Sequence, residues 1–252
     1  MDMRLPPEVL RRAEHDSAPA ALPAFSHAFQ PIVDIESRAI HSYEALIRGP
    51  RGEPGSTVMQ GVPAGRRSEF DQASRALAIA FAARSGFAGR LNLNFFPQPP
   101  SVSARAIRHT AQAATRNGVA LERILLEFPQ GADVASPDEL AVLLNEYRGL
   151  GMMLAIDDYT GGAPGRAALE RFQPDVVKLE MTLVRGIGAR EARCRTVREI
   201  ARECSALGIE VVAKGVESRE EFECLAQQGL RMFQGSLLGA PQFERFGPAL
   251  VP

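Results

Sequence analysis

The sequence predicts an α/β fold, and within that class a TIM-like (β/α)8 barrel. Three observations predict it. About eight short apolar runs recur along the chain, each bounded by polar, glycine or proline residues, as buried strands are. Helical patterns separate most of them. The length, 252 residues, is one at which such a barrel folds as a single unit. A doubly wound sheet shares the alternation and is the competing architecture.

In chain order, residues 1–25 are rich in alanine, proline and charge and read as a partly ordered lead-in, with the domain over 26–252. Strands are expected at 28–33, 40–48, 90–94, 123–128, 152–157, 175–179, 210–213 and 231–234. The first two adjoin with no helix between them, which departs from strict alternation. A helical pattern over 68–85 stops before Gly86. Ser136-Pro137-Asp138-Glu139 sets a cap, a proline at the first helical position and two acids on the positive helix end. That helix is expected to run to about Arg148 and stop near Gly149 and Gly151. Helices over 193–207 and 218–228 end at Gly208 and Gly229, the residue type that closes helices.

Composition narrows the function. The chain is 45% hydrophobic and 23% charged with a formal net charge of -1, so bulk electrostatics favour neither DNA, RNA nor an anionic membrane. No apolar run approaches the roughly 18 residues of a membrane span. Arg4, Arg11 and Arg12 precede no apolar core, so the start does not read as a signal peptide. Cys194, Cys204 and Cys224 form no CxxC pair, and their odd number argues against a disulfide framework. The histidines form no metal-binding spacing. A cytoplasmic location is the expectation.

In a barrel, side chains at the carboxyl ends of the strands converge on one face. Here those ends read Glu44, Asn94, Glu127, Asp157 with Asp158, Lys178, Lys214 and Gln234. Any one of them alone would pass for solvated surface. The whole series in register points to a site. Several carboxylates in one pocket must protonate, pair with lysine or hold a divalent cation. Carboxylate and amide oxygens suit Mg²⁺, Mn²⁺ or Ca²⁺, and adjacent acids such as Asp157-Asp158 can bridge two ions, as in phosphodiester hydrolysis.

These residues lie in segments that resemble the EAL family of bacterial cyclic-di-GMP signalling. The segments are Gln30-Pro31-Ile32-Val33-Asp34, Tyr43-Glu44-Ala45-Leu46-Ile47-Arg48-Gly49, Leu93-Asn94-Phe95, Leu126-Glu127-Phe128 and Ile156-Asp157-Asp158-Tyr159. They continue with Gln173-Pro174-Asp175-Val176-Val177-Lys178-Leu179, Val211-Val212-Ala213-Lys214-Gly215-Val216-Glu217 and Phe233-Gln234-Gly235. The resemblance implies a barrel with a reversed first strand. It also implies two Mg²⁺ or Mn²⁺ ions and hydrolysis of cyclic-di-GMP to the linear dinucleotide. Carried over, Glu44, Asn94, Glu127 and Asp157 hold the first ion, while Asp157 and Asp158 serve the second. Lys178 contacts water or phosphate, Gln234 orders the metal-bound water, and Arg48 pairs with a substrate phosphate. Leu46, Glu217 and Pro241 join Arg48 among the ligand-binding positions.

The sequence departs from that pattern at Lys214, which stands where the family has a glutamate that binds the second ion. An ammonium repels a dication: at ~4 Å and an effective dielectric near 20, each unit charge contributes about 4 kcal/mol before screening. Lys214 is therefore expected to disable catalysis, leaving one metal site and abolishing the other. Gln130 replaces a glutamate that anchors the loop after the fifth strand, and that loop, 157–164, has diverged with it. Glu180 replaces an aspartate; Ser236 and Ala240 replace an aromatic and a basic residue. The leading expectation is a domain that binds cyclic-di-GMP or a regulatory protein partner without efficient hydrolysis. An active phosphodiesterase, with Lys214 swung to solvent and Glu217 or Glu180 recruited, is the alternative. Schiff-base chemistry at Lys178 or Lys214 is a third class, which neighbouring carboxylates disfavour by raising a lysine pKa. Family members often dimerise, and the resemblance admits a homodimer.

Overall fold

The computed structural model describes residues 21–96, 100–131 and 137–250. Most of the lead-in, and the Ser136 cap, lie outside them. Eight strands close a barrel: β1 (Ser26–Asp34), β2 (Ala39–Arg48), β3 (Arg90–Asn94), β4 (Ile124–Pro129), β5 (Met153–Tyr159), β6 (Val176–Leu179), β7 (Glu210–Lys214) and β8 (Met232–Gln234). Strands β2 to β8 run parallel in sequence order, and β1 runs antiparallel between β8 and β2. A two-residue β9 (Gln242–Phe243) pairs with the start of β1. The barrel, not the doubly wound sheet, is the fold, and its first strand is reversed as expected.

Helices α1 (Gly55–Gln60), α2 (Arg67–Arg84), α3 (Pro100–Arg116), α4 (Pro137–Gly149), α5 (Gly162–Phe172), α6 (Met181–Val184), α7 (Glu191–Ala206) and α8 (Arg219–Gln227) fill the connections. Gly86, Gly208 and Gly229 follow α2, α7 and α8 at φ of 64°, 71° and 92°, the left-handed turn that ends a helix. Ser218 and Glu221 cap α8 reciprocally. Two findings correct the sequence reading. The helices α3 and α5 were not expected, although α3 separates its apolar and polar residues strongly around the helix. Segment 157–164 is also less of a loop than expected: β5 extends to Tyr159 and α5 begins at Gly162.

Two cores result from the alternation of strand side chains. One face of each strand packs outward against helices, as Leu91, Leu93, Leu126, Leu154, Ile156, Val177 and Ala213 do. The other face fills the barrel. Ile32, Leu125, Ala155, Val176, Val212 and Met232 form a buried apolar layer there. Two residues further toward the carboxyl ends, the same face carries Glu127, Asp157, Lys178, Lys214 and Gln234. Because β1 runs the other way, its residue at that level is Gln30, two positions before Ile32. The apolar layer is the floor on which the polar layer rests.

Candidate functional site

Lys178 sits at the centre of the polar layer and is fully buried. Its ammonium donates to Glu44 Oε2 at 2.7 Å and to both Glu127 oxygens at 2.8 and 3.0 Å. Gln234 Nε2 donates to the same Glu44 oxygen at 2.7 Å, and Asn94 Nδ2 approaches Glu44 Oε1 at 3.4 Å. Burial alone would lower the Lys178 pKa, but Glu127, Glu44 and Asp157 together raise it above its usual value. This amine stays charged and is a poor Schiff-base nucleophile. Burial raises Glu44 too, yet Lys178 and Gln234 outweigh it and hold its carboxyl below the usual range. For Glu127 burial wins, with Glu44 and Asp157 adding to it, and its pKa is pushed up to about 8. Two acids share one ammonium: the deeper, Glu127, tends to keep a proton, and the negative charge rests on Glu44.

The second lysine lies at the rim. Lys214 Nζ donates to Asp157 Oδ1 at 2.6 Å and Asp158 Oδ1 at 2.5 Å. Consecutive strand residues ordinarily point to opposite faces, so two adjacent aspartates on one ammonium need a backbone irregularity. The ladder between β5 and β6 slips between Ile156 and Tyr159, and Asp158 has a φ of 53°. That bulge brings both carboxylates to the same side. Burial lowers the Lys214 pKa, but Asp157 and the two hydrogen bonds outweigh it and raise it. Glu180 and Glu217 do not enter the site: Glu180 caps α6 by accepting from Thr182 N at 2.9 Å, and Glu217 pairs with Arg185.

Further expected residues stand around this core without polar contact to it. Arg48 donates to the Ile47 carbonyl at 2.8 Å. Leu46 and Pro241 are half-buried, on β2 and just before β9. Gln130 keeps its grip on the following loop, its Oε1 accepting from Thr160 N at 2.9 Å. The replacement of glutamate by Gln130 thus keeps the hydrogen bond: an amide oxygen accepts as a carboxylate does, without its charge. Gly235 follows Gln234 where a Cβ would run into the Val216 carbonyl, so glycine is required for this turn.

Two residues of the site escaped the sequence reading. Asn92 is buried and donates to Glu127 Oε1 at 2.7 Å. Gln30 accepts from Gln234 Nε2 at 3.2 Å and donates to the Gly239 carbonyl at 3.1 Å. The signal for Asn92 was its spacing in Leu91-Asn92-Leu93-Asn94, which places both asparagines on one strand face. Among the described residues, no three acid, histidine or cysteine side chains are gathered to hold an ion as they stand. Each acidic pair has an ammonium between its members. The donors themselves, three carboxylates and one amide oxygen on neighbouring strand ends, suit a hard dication.

A closed α/β barrel whose strand ends carry interlocked acids, amides and ammonium groups defines the class of protein. Residues 16–241 match the EAL domain model, and the chain belongs to that family. It is 36% identical to a standalone versatile EAL protein from Vibrio cholerae O395 solved with c-di-GMP bound, with a TM-score of 0.83 over 90% of this chain and 95% of that one. It is 32% identical to Klebsiella pneumoniae BlrP1 in a manganese and cy-diGMP complex, with a TM-score of 0.83 over 91% of this chain and 58% of BlrP1. Among curated proteins it is 29% identical to the blue light- and temperature-regulated antirepressor BluF of Escherichia coli K12, over 83% of this chain. The chain thus spans about half, 52%, of that relative's length. No described helix is long and apolar enough to cross a membrane.

Proposed function

We propose that this EAL domain binds cyclic-di-GMP as a receptor, or engages a regulatory protein partner, with hydrolysis impaired. One observation carries the reading: Lys214 bonds to Asp157 and Asp158, where family members place a glutamate and a second dication. Charge supports it. Once an ion displaces the Glu127 proton, Glu44, Glu127, Asp157 and Asp158 face Lys178 and Lys214, leaving two uncompensated negative charges, which one divalent ion balances. With glutamate in place of Lys214 the deficit would be four, the charge of two ions. Glu44, Asn94, Glu127 and Asp157 would hold the single Mg²⁺ or Mn²⁺, which would supply positive charge toward a phosphate. Arg48, Leu46, Glu217 and Pro241 would line the ligand, with Arg185 releasing Glu217. The relative named as an antirepressor supports a role in regulation, and the c-di-GMP complex of the V. cholerae protein supports the choice of nucleotide.

Calorimetric titration of the purified chain with cyclic-di-GMP, with and without Mg²⁺, together with chromatography of the mixture, tests this. Binding heat with the dinucleotide intact is expected. Absence of heat in both conditions would remove the nucleotide receptor and leave the protein-partner role. Efficient turnover would establish the second reading, a metal-dependent phosphodiesterase. That reading is favoured by the neighbouring Glu44, Asn94, Glu127 and Asp157 and by the Gln130 anchor. A homodimer and a cytoplasmic setting belong with both readings.

A further inference from the structure

The odd cysteine count hid a pair. Cys194, in the first turn of α7, and Cys224, in α8, place their Sγ atoms 3.5 Å apart, and both residues are partly exposed. Cys204 is buried elsewhere on α7. All three are free thiols. The sulfurs of the pair are already in van der Waals contact, so bonding them requires a small closure between two adjacent surface helices rather than a rearrangement. The two cysteines stand 30 positions apart in sequence and meet through packing that the sequence does not reveal.

We propose that Cys194 and Cys224 form an oxidisable dithiol that takes hydroperoxides and closes to a disulfide. Cys194, standing in the first turn of α7 at its positive end, reacts first. Burial and the Cys194 contact push the Cys224 thiol up to about 11, which leaves it the poorer initial nucleophile. The Cys194 thiolate attacks one peroxide oxygen, the O–O bond breaks, and the leaving oxygen takes a proton to give water or an alcohol. The Cys194 sulfenic acid is then attacked by Cys224 sulfur as that thiol gives up its proton; the S–S bond forms, the S–O bond breaks, and the hydroxide leaves as water. Two electrons pass from the two sulfurs to the peroxide, and a dithiol reductant reverses the step.

The location gives this chemistry a consequence. α7 and α8 flank β7, whose last residue is Lys214, and the turn between β7 and α8 is tied to the chain before α7. Glu221 accepts from Gly186 N at 2.8 Å and from Glu217 N at 2.9 Å, and Arg185 pairs with Glu217. Cys194 Sγ itself lies 3.5 Å from the Ile187 carbonyl. A disulfide fixes the two helices on either side of that turn.

The test treats the purified wild-type chain with hydrogen peroxide and reads its intact mass and thiol map. Expected is loss of two hydrogen atoms, a Cys194–Cys224 crosslinked peptide, unreacted Cys204, and full reversal by dithiothreitol. In Cys224→Ser, a sulfenic acid at Cys194 is captured by dimedone; in Cys194→Ser, Cys224 captures far less, by tenfold or more. Both cysteines alkylated as free thiols after peroxide treatment, or oxygen added irreversibly without a crosslink, overturns the proposal. The wild-type measurement stands whether or not either variant folds.

Discussion

The site contains two lysines that do the same electrostatic task in different dielectric surroundings. Lys178 is sealed under the barrel mouth between Glu44 and Glu127, whereas Lys214 stands at the rim between Asp157 and Asp158, one of them more than half exposed. A buried ion pair gains strong attraction only after a large desolvation cost, so removing one partner leaves a charge that nothing stabilises. At the rim, water reaches Asp158 and performs part of that service. Depth, rather than the number of hydrogen bonds, should therefore decide which lysine belongs to the fold and which is free to tune the chemistry.

The largest expected effect is on the deep lysine. Lys178→Met should destabilise the domain by about 3–5 kcal/mol, read as a lower urea midpoint with an unchanged slope. A loss below about 1 kcal/mol would erase the distinction between the two positions.

Next comes a buried group that stays neutral. His27 lies on β1, its Nε2 2.9 Å from Ser74 Oγ, and burial followed by the nearby Arg48 charge lowers its pKa to about 4 from 6.5. The unfolded chain takes up a proton below pH 6.5, while the folded one resists until about pH 4. Stability from this group is therefore complete above 6.5 and falls as pH drops toward 4, by about 3 kcal/mol in all. Denaturation of wild type and His27→Gln between pH 7 and 4 should show a slope that the variant lacks. Equal slopes would place the acid sensitivity elsewhere.

The smallest change in stability, and the sharpest in chemistry, is expected at the rim. Lys214→Met should cost about 1–2 kcal/mol, less than Lys178→Met, because Asp158 stays hydrated although Asp157 does not. Lys214→Glu should raise the Mn²⁺ stoichiometry measured by calorimetry from one to two. An unchanged stoichiometry would mean that the 157–164 segment, rather than the lysine, limits the second ion.

The sequence revealed the site through position. Asn94, Glu127, Asp157, Lys178, Lys214 and Gln234 lie within two residues of their strands' carboxyl ends, and a closed barrel must bring such ends together; Glu44 lies inside β2. Strand bounds agree within about two residues because the runs are short and sharply bounded. What escaped had either a signal that was passed over or no local signal. α3 and α5 were legible in their amphipathic pattern, but their alanine-rich faces drew no assignment. Asn92 and Gln30 sit inside strands rather than at their ends, where a polar residue is easily taken for an outward-facing one. The approach of Cys194 to Cys224 depends on how two helices dock, which no periodicity encodes.

The reversed β1 carries a consequence for how the molecule is made. It is the first barrel strand to leave the ribosome, yet its neighbours include β8 and β9, the last. Until they emerge, the early hairpin can pair only on one side, and an unfilled edge stays available to other chains. Ring closure joins residues some 200 positions apart, as Val33 to Phe233 and Ala28 to Phe243. Long-range closure of this kind is entropically slow. Maturation therefore hinges on the arrival of the final strands, which act as the clasp of the barrel.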